Sequence, residues 1–363
     1  MLIAAVQPAF CTRLTWAVYS RNFQRGRYPA TGAGDSLMYR FLIPYNYNSS
    51  MKYPLVLALH GIGERGTNDT AQLSANYLAT TWADSTSQAI YPCFVVAPQC
   101  PPSRGTPDTM MWVRTIATVV NQDANPITQP LSMVFRVVDS LIKLYPSIDT
   151  NRLYIIGLSM GGFGTWDAIT RYPTKFAAAV PICGGGDSTK VGPIANLPLW
   201  VVHGQLDPAV NIASSRAMVN AIERRGKTWI RTISNTAWTT VQNGYPTRAQ
   251  FITQVKASPT PQLIYTEYTN AYHDSWVTIL NDTLLIPWVM SKSNAAGTGV
   301  VRTPSKTSTG SGRISGAATW LHVGRFDKEM PRSTGNLYNL SGKNMRAAGR
   351  MQGKGVYIGR VEE

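Results

Sequence analysis

The chain has 363 residues, a formal net charge of +15 and 44% hydrophobic residues. This length accommodates one large domain with an appendage, or two domains. Its core is large enough to be stable without a disulfide framework. No run approaches the roughly 20 consecutive apolar residues that cross a bilayer, so the sequence predicts a soluble chain without a membrane span.

The positive charge is concentrated towards the C-terminus. Residues 292–363 carry 12 Lys/Arg and 4 Asp/Glu, whereas the preceding 291 residues carry 22 and 15. The chain has no long Lys/Arg run, RNA-binding motif or zinc-finger spacing. A solvated basic surface is therefore favoured over a nucleic-acid partner.

Short β-like runs alternate with helical ones from about residue 22 to residue 290. The pattern predicts strands at 37–44, 53–61, 93–99, 152–159, 176–184, 197–204 and 262–268, and helices at 131–146, 162–173, 209–226 and 275–292. Such alternation predicts an α/β fold with a mostly parallel central sheet covered by helices on both faces.

Three segments depart from this alternation, and they divide the chain. Residues 228–261 are too long for an ordinary connection, so we interpret them as an insertion near the strand ends, over a pocket. Residues 293–318 are rich in Gly, Ser, Thr and Ala, which is typical of a flexible linker. Residues 319–363 alternate apolar and polar residues and predict a small β-module or sorting tail, leaving 1–292 as the main domain.

The cysteines indicate no metal site and leave the disulfides open. Cys93 and Cys100 flank a predicted strand, and seven extended steps separate them by roughly 20 Å, beyond the roughly 7 Å limit for a disulfide. Other pairings that involve Cys11 or Cys183 remain possible. None of the four has the spacing of metal ligands.

The run "IIGLSMGGFG" places Ser159 in a G-x-S-x-G pattern between a predicted strand and a predicted helix. In sheets of this kind, ligands bind beyond the carboxyl ends of the strands. A sharp strand-to-helix elbow brings the two backbones together, which explains glycine at positions 157 and 161. Ser159 is therefore the candidate nucleophile, and a serine needs a neighbouring base to act as one.

The base can be found by elimination among four histidines: His60, His203, His273 and His322. A strand–elbow–helix nucleophile predicts the chain order serine, acid, histidine. His60 precedes the serine, His203 is too early if the acid follows it, and His322 lies beyond the linker. His273, in the turn after the last predicted strand, is the candidate base.

The acid must follow a strand between the serine and the histidine. Asp207 in "HGQLDPAV" does so, although an Asp there could instead cap a helix. Asp187 also follows a strand and is the rival, whereas Asp274 adjoins His273 and its side chain would usually point away from the imidazole.

Acyl transfer also needs N–H donors for a developing oxyanion. Met160, directly after the serine, is one candidate, and Ile62 in the glycine-rich "HGIGERG" is the other, with Gly63 as its near alternative. The candidate substrate contacts are Gly63, Gln99, Trp112 and Trp276, and Trp238 is a further aromatic that could line a pocket.

Several motifs together resemble α/β-hydrolases of the feruloyl-esterase and polyhydroxybutyrate-depolymerase-like branch, often labelled predicted peptidases or phospholipase/carboxylesterases. They are "YPLVLALHGIGERGTND", "FVVAPQCP", "IIGLSMGGFGTW", "AVPICGGGD", "HGQLDPAV" and "YTEYTNAYHDSW", within about residues 22–290. The resemblance implies an α/β-hydrolase catalytic domain over 1–292, with the triad Ser159, Asp207 and His273.

The tail "LYNLSGKNMRAAGRMQGKGVYIGRV" is similar to C-terminal sorting domains of the type IX secretion system. It implies export to the cell surface or beyond, with the secretion machinery as a partner. The N-terminal "MLIAAVQPAFC" has no basic region before its apolar run and does not clearly encode a signal peptide.

These observations predict a secreted serine carboxylesterase that needs no metal or cofactor. Feruloyl or acetyl esters of plant polysaccharide are the expected substrates, and polyesters, including aromatic ones, are the alternative. Two other hypotheses remain, namely a serine peptidase of the same fold and a non-catalytic surface protein that binds polysaccharide.

Overall fold

A computed structural model describes residues 20–29, 36–103, 110–114, 116, 120–257 and 262–294, together with the backbone of 321–322, 337–338 and 358–360. Its main feature is a nine-stranded sheet in the order β1-β2-β4-β3-β5-β6-β7-β9-β8. The strands are β1 Gln24–Tyr28, β2 Leu37–Leu42, β3 Tyr53–Leu59, β4 Phe94–Gln99, β5 Ile148–Leu158, β6 Ala178–Ile182, β7 Leu199–Gly204, β8 Ile230–Ser234 and β9 Leu263–Tyr268.

The sheet is parallel except at one edge. β1 pairs antiparallel with β2, and β2 pairs antiparallel with β4. From β4 to β8 every neighbouring pair is parallel. The carboxyl ends of these strands therefore meet at one edge of the sheet, where the loops that follow β3, β5, β7 and β9 come together.

Eight α-helices connect the strands in the described residues, beginning with the short Ala71–Ser74 and Ser85–Ile90. The others are Gln129–Leu144, Met160–Arg171, Ala213–Glu223, Arg248–Ala257, Trp276–Leu280 and Leu285–Met290. Gln129–Leu144 begins where the Thr128 side chain accepts the Leu131 N–H, which is an N-cap.

The prediction of one continuous last helix over 275–292 is wrong. The structure has two short helices there, Trp276–Leu280 and Leu285–Met290. Between them, the Asp282 carboxylate accepts the Leu284 N–H at 2.9 Å and binds both terminal nitrogens of Arg248. This local side-chain bond to the backbone competes with a continuing helix.

Residues 228–261, predicted as an insertion, contain regular elements of the sheet. Ile230–Ser234 is the edge strand β8, parallel to β9, and Arg248–Ala257 is the helix that leads from one to the other. The intervening turn reaches the loop after β9, because the Thr236 N–H donates to Asn270 Oδ1 at 2.9 Å. The segment therefore extends the fold and also borders the strand ends.

The hydrophobic core lies on both faces of the sheet. All seven residues of β3 are buried. Leu55, Leu57 and Leu59 pack into one cluster, whereas Val56 and Ala58 pack into the other. Alternate residues of a strand point to opposite faces, so an unbroken apolar strand fills two cores at once.

Several predictions fall on the ends of the chain. Cys11, residues 1–19 and almost all of the predicted linker 293–318 lie outside the described residues. Of the predicted module 319–363, the structure describes three short strands, β10 Leu321–His322, β11 Leu337–Tyr338 and β12 Ile358–Arg360, which form an antiparallel sheet. None of the described helices is long and apolar enough to cross a bilayer.

The cysteines at the two ends of β4 are not bonded to each other. Cys93 is a free, buried thiol whose pKa is raised to about 12 by burial. The Cys100 Sγ–H donates to the Met110 carbonyl at 3.2 Å. Cys183, after β6, is also a free and buried thiol.

Candidate active site

Ser159 occupies a strained elbow between β5 and the helix Met160–Arg171. Its backbone has φ 54° and ψ −121°, a conformation that side-chain-bearing residues rarely adopt. A Cβ at Gly157 would lie 2.1 Å from the Gly161 carbonyl oxygen, and a Cβ at Gly161 would lie 1.9 Å from that of Leu59. Close backbone approach therefore requires glycine at both positions.

The structure brings Ser159, His273 and Asp207 together in one hydrogen-bonded chain. His273 Nε2 lies 2.9 Å from Ser159 Oγ, and His273 Nδ1 lies 2.7 Å from Asp207 Oδ2. A carboxylate can only accept, so Nδ1 carries the proton and the Nε2 lone pair faces the serine hydroxyl. This is the tautomer in which imidazole can take a proton from Ser159.

Asp207 is held by more than the histidine. Its side chain is fully buried, and Oδ1 accepts the N–H groups of Ala209 and Val210, both at 2.9 Å. Burial acts to raise the pKa of this carboxyl. The hydrogen bonds from His203, His273 and the two backbone N–H groups outweigh burial and leave the pKa well below its usual value. The carboxylate is therefore ionised and fixed in orientation.

The loops after β7 and β9 bring the acid and the histidine to the same place. Gln205 N–H donates to the Tyr268 carbonyl at 2.9 Å, and Leu206 N–H donates to the Ala271 carbonyl at 3.0 Å. These bonds join the residues just before Asp207 to those just before His273. Two segments that are distant in sequence thus form one rigid corner.

The candidate oxyanion donors lie beside the serine. Met160 is the first residue of its helix, where backbone N–H groups have no partner within the helix. Ile62 opens a short 3₁₀ turn after β3. A Cβ at the preceding Gly61 would lie 3.5 Å from Ser159 Cβ, so this turn packs directly on the nucleophile. Gly63 borders open space, since no heavy atom lies within 4 Å of a Cβ built there.

His60 is buried and forms a hydrogen bond to Gly61, the residue that precedes this turn. Its Nε2 accepts the Cys100 N–H at 2.9 Å, which leaves Nδ1 to donate to the Gly61 carbonyl at 2.6 Å. Burial lowers the pKa of His60 to about 4, so the ring is neutral at physiological pH. Its place in the structure agrees with its exclusion as the base.

Three of the other predicted residues, Asp187, Gln99 and Trp112, form hydrogen bonds within the protein. Asp187, the rival acid, accepts the N–H groups of Thr189 and Gln122 and caps a short turn. Gln99 is buried, and its side-chain amide binds the 64–69 loop through the Glu64 carbonyl and the Asp69 N–H. The interpretation of Gln99 as a substrate contact is therefore wrong.

Trp112 is likewise fully buried, and its Nε1–H donates to the His60 carbonyl at 3.0 Å. Its interpretation as a substrate contact is also wrong, because it packs beneath the Ile62 turn. Trp238 is partly buried, is stacked on Phe251 with ring centroids 5.3 Å apart, and packs against the core. Trp276 is partly exposed and meets the His273 ring edge to face, with centroids 5.3 Å apart.

Four exposed apolar side chains lie within five residues of a candidate site residue in sequence, three in loops and Val277 in the helix Trp276–Leu280. Ile62 is 45% exposed, Leu206 47%, Val277 50% and Tyr272 60%. We refer to these four as the apolar rim. Of the four, only Ile62 was predicted from the sequence, although Leu206 and Tyr272 each directly precede a predicted triad residue. Exposed apolar side chains beside a candidate active site are candidates for contact with an apolar part of a substrate.

Sequence analysis also missed the polar groups behind the triad. Cys183, with φ 47°, donates its thiol to the His273 carbonyl at 3.3 Å and lies 2.8 Å from Ser275 Oγ. His203 Nε2 lies 3.2 Å from Asp207 Oδ2. The signal for His203 was its position four residues before the candidate acid.

One group of described residues offers metal-ligand atoms close together. Atoms of Cys183, His203 and Asp207 lie within 4.8 Å of one another. Each of these residues already takes part in hydrogen bonds around His273 or Asp207. The hydrogen bonds explain why these side chains lie together.

The parallel sheet, the strained serine elbow and the serine–histidine–aspartate chain define an α/β-hydrolase fold. The profile of the phospholipase/carboxylesterase family matches residues 47–243, more than half of the chain, and the chain belongs to this family.

Three proteins similar to this chain are named as esterases or as a depolymerase. The chain is 30% identical over 168 residues to the bifunctional acetylxylan esterase/xylanase XynS20E of Neocallimastix patriciarum, covering 45% of this chain and 21% of that protein. It is 33% identical over 132 residues to poly(3-hydroxyalkanoate) depolymerase C of Paucimonas lemoignei, covering 36% and 28%. The crystal structure of a thermostable esterase is 34% identical, with a TM-score of 0.61, covering 76% of this chain and 64% of that one. The aligned regions thus span about a fifth to about two thirds of these proteins.

Proposed function

We propose that the chain is a serine carboxylesterase in which Ser159 is the nucleophile, His273 the general base and Asp207 the acid that orients it. The hydrogen-bonded chain from Ser159 Oγ through both His273 nitrogens to Asp207 Oδ2, with lengths of 2.9 and 2.7 Å, carries the proposal. Membership of the phospholipase/carboxylesterase family supports an ester as the substrate.

The reaction follows from this tautomer. Ser159 Oγ attacks the ester carbonyl carbon while its proton passes to His273 Nε2, and the resulting imidazolium is stabilised by the ionised Asp207. His273 then returns the proton to the departing alkoxide, which leaves an acyl group on Ser159. A water molecule deprotonated by His273 releases the acid and restores the serine.

The N–H groups of Met160 and Ile62 stabilise the negative oxygen that develops on the carbonyl. Met160 lies at a helix N-terminus, where the helix dipole also favours negative charge. Ile62 belongs to a turn that packs on Ser159 and rests on His60 and Trp112. Donors held in this way need no reorganisation during the reaction, and one such donor contributes about 3 kcal/mol.

The substrates are esters with an apolar part, either hydroxycinnamoyl or acetyl esters of plant polysaccharide or polyester chains. The acetylxylan esterase and the poly(3-hydroxyalkanoate) depolymerase among the similar proteins support these two classes. The apolar rim and Trp276 favour an acyl or aryl group that lies across exposed side chains. Gly63 leaves space beside the Ile62 turn for part of the ester.

The protein is exported, and its C-terminal module takes part in sorting. The tail resembling a type IX sorting domain supports this proposal, and the secretion machinery is the partner that it implies. A fusion of residues 293–363 to a reporter, expressed with a signal peptide in a host that has this system, should reach the cell surface. Retention of the reporter in the periplasm would contradict it.

Hydrolysis of p-nitrophenyl butyrate at pH 8 tests the esterase proposal. The wild type should turn over, and Ser159→Ala should lower kcat by at least about 10⁴-fold while leaving the fold intact by circular dichroism. Ser50→Ala is the matched control, because Ser50 is exposed and lies in the turn between β2 and β3. A folded wild-type protein without turnover would rule out the esterase.

Two alternatives give different results in the same series. A peptidase should cleave an acyl anilide and its matched ester with comparable kcat/KM, whereas an esterase should greatly prefer the ester. A non-catalytic polysaccharide-binding protein should bind xylan without turning over either substrate. The closely spaced triad atoms favour the enzyme over this last alternative.

A further inference from the structure

His203 has two ring nitrogens, and each of them faces an acceptor. Nδ1 lies 2.8 Å from Ser215 Oγ. Ser215 has a single hydroxyl proton, and it donates this proton to the Gly184 carbonyl at 2.8 Å. A carbonyl cannot donate in return, so Ser215 has no proton left for His203 and Nδ1 must be the donor.

The other nitrogen points at two oxygens that cannot donate. Nε2 lies 2.9 Å from the Val210 carbonyl and 3.2 Å from Asp207 Oδ2. The low pKa of Asp207 keeps that carboxylate ionised. A neutral imidazole has one N–H and one lone pair, so it would leave a lone pair facing an acceptor on one side.

We propose that His203 is an imidazolium in the resting protein at neutral pH and is a second cationic partner of the candidate triad carboxylate. Asp207 Oδ2 then accepts from two histidines, His203 Nε2 and His273 Nδ1. The side chains of His203 and Asp207 are both fully buried. A buried charge requires a partner of opposite sign, and here each is the partner of the other.

The other titratable groups around His203 do not compete for its proton. The Cys183 thiol is neutral, because burial raises its pKa. Glu267, the register partner of His203 on β9, is bound by Arg216 at 2.9 and 2.7 Å and by Gln205. Among the described residues, Asp207 is thus the anion available to His203.

The effect of a charged His203 on catalysis rests on the proposed function. A positive charge beside Asp207 reduces the negative potential that reaches His273 and so lowers its proton affinity. His273 then stays unprotonated, and able to accept the Ser159 proton, at lower pH than a simple triad would allow. His203 is a positioning residue that acts on the reaction through Asp207.

Nitrogen NMR of the resting protein tests the protonation state without any turnover. The chain has four histidines, and comparison with His203→Gln assigns the His203 ring. At pH 7.5, two-bond ¹H–¹⁵N correlations should give two protonated nitrogens for His203. His60 should give a neutral ring, which provides an internal control. A neutral pattern for His203 would overturn the proposal, whether or not the protein hydrolyses esters.

The pH profile of kcat/KM tests the coupling to His273. With Asp207 paired to one histidine only, the midpoint of the acid limb should rise by about one pH unit in His203→Gln. Ser215→Ala removes the acceptor at His203 Nδ1. It should raise the midpoint of the acid limb as well, but by less than His203→Gln does. His60→Gln is the matched control and should not move the midpoint. If His203→Gln and Ser215→Ala lower kcat but leave the midpoint unmoved, the coupling between His203 and His273 is overturned.

Discussion

β3 and β7 lead into their loops through the same two residues, histidine and glycine. His60 and Gly61 directly follow β3, whereas His203 and Gly204 are the last residues of β7, and each pair places a buried imidazole at the end of a parallel strand. The two rings differ in their partners. His60 accepts a backbone N–H through Nε2, whereas His203 faces acceptors with both nitrogens. The same sequence and the same burial therefore lead to a neutral ring in one loop and, in our proposal, a charged ring in the other. The hydrogen-bond partners of each ring decide whether it is neutral or charged.

The largest effect that we expect from this difference is on the pH dependence of stability. The pKa of His60 is about 4 in the folded protein and about 6.5 in the unfolded chain. The unfolded chain therefore binds the extra proton first as the pH falls. His60 should contribute about 3 kcal/mol to the free energy of unfolding above pH 6.5, and this is lost as the pH falls towards 4.

Urea unfolding of the wild type and His60→Gln between pH 7.5 and 4 checks this expectation. The variant should be less stable by about 2 kcal/mol at pH 7.5, because the buried Cys100 N–H loses its acceptor. It should also lose less stability than the wild type as the pH falls. Parallel curves for the two proteins would contradict a neutral, buried His60.

Lys292 extends the comparison of buried basic groups, because it has no carboxylate partner among the described residues. It is 4% exposed, and its Nζ donates to Gln262 Oε1 at 3.0 Å. Burial lowers its pKa to about 8. The folded state thus disfavours the charge, and stability should fall as the pH is lowered from 10.5 to 8.

Lys292→Met keeps the volume and removes the charge, while Gln262 Oε1 still accepts the Trp288 Nε1–H. We expect the variant to be more stable than the wild type by about 2 kcal/mol at pH 7. Thermal unfolding at pH 7 and pH 10 measures this gain, which should shrink at the higher pH. The exposed Lys256→Met provides the surface control. Equal melting temperatures at pH 7 would show that the buried charge costs nothing.

In one respect the two loops are alike, since each carries an exposed apolar residue just after its histidine, Ile62 and Leu206. Replacing each with serine should raise KM for a p-nitrophenyl octanoate about 3- to 10-fold, because each loses roughly 1 kcal/mol of apolar contact. Values for the acetate should hardly change, since its acyl chain is too short to reach the rim. Val277→Ser tests whether the rim residue in the helix Trp276–Leu280 also contacts the acyl chain. Equal effects on both esters would argue against a surface that binds the acyl group.

The fold could be read from the sequence because its strands are short, apolar and separated by helical periodicity. The three residues of the candidate triad follow from chain order and from the small number of histidines. Chain order does not predict which of the candidate side chains are buried. Gln99 stands at the end of β4 like a binding residue, and Trp112 lies in the segment that follows β4, yet both side chains are buried.

Other features depend on contacts between distant segments. The strand β8 is short and only partly buried, and its five residues, IRTIS, form no continuous apolar run. The break in the last helix lies where Asp282 pairs with Arg248, a residue distant in sequence, and Pro287 was the local signal against a continuous helix. His203 was excluded as the base by its position, and that position in the chain carries no information about the two acceptors around it.

The turn after β8 also has a consequence for association between molecules. β8 is the last strand on its side of the sheet, and an exposed strand edge can pair with a strand of another copy. Here the chain folds back on itself. Gln242 N–H donates to the Ile233 carbonyl at 2.9 Å, and Ser234 forms an antiparallel bridge with Val241. The carboxyl end of this edge is therefore occupied, which protects the molecule against aggregation by strand addition beside the candidate active site.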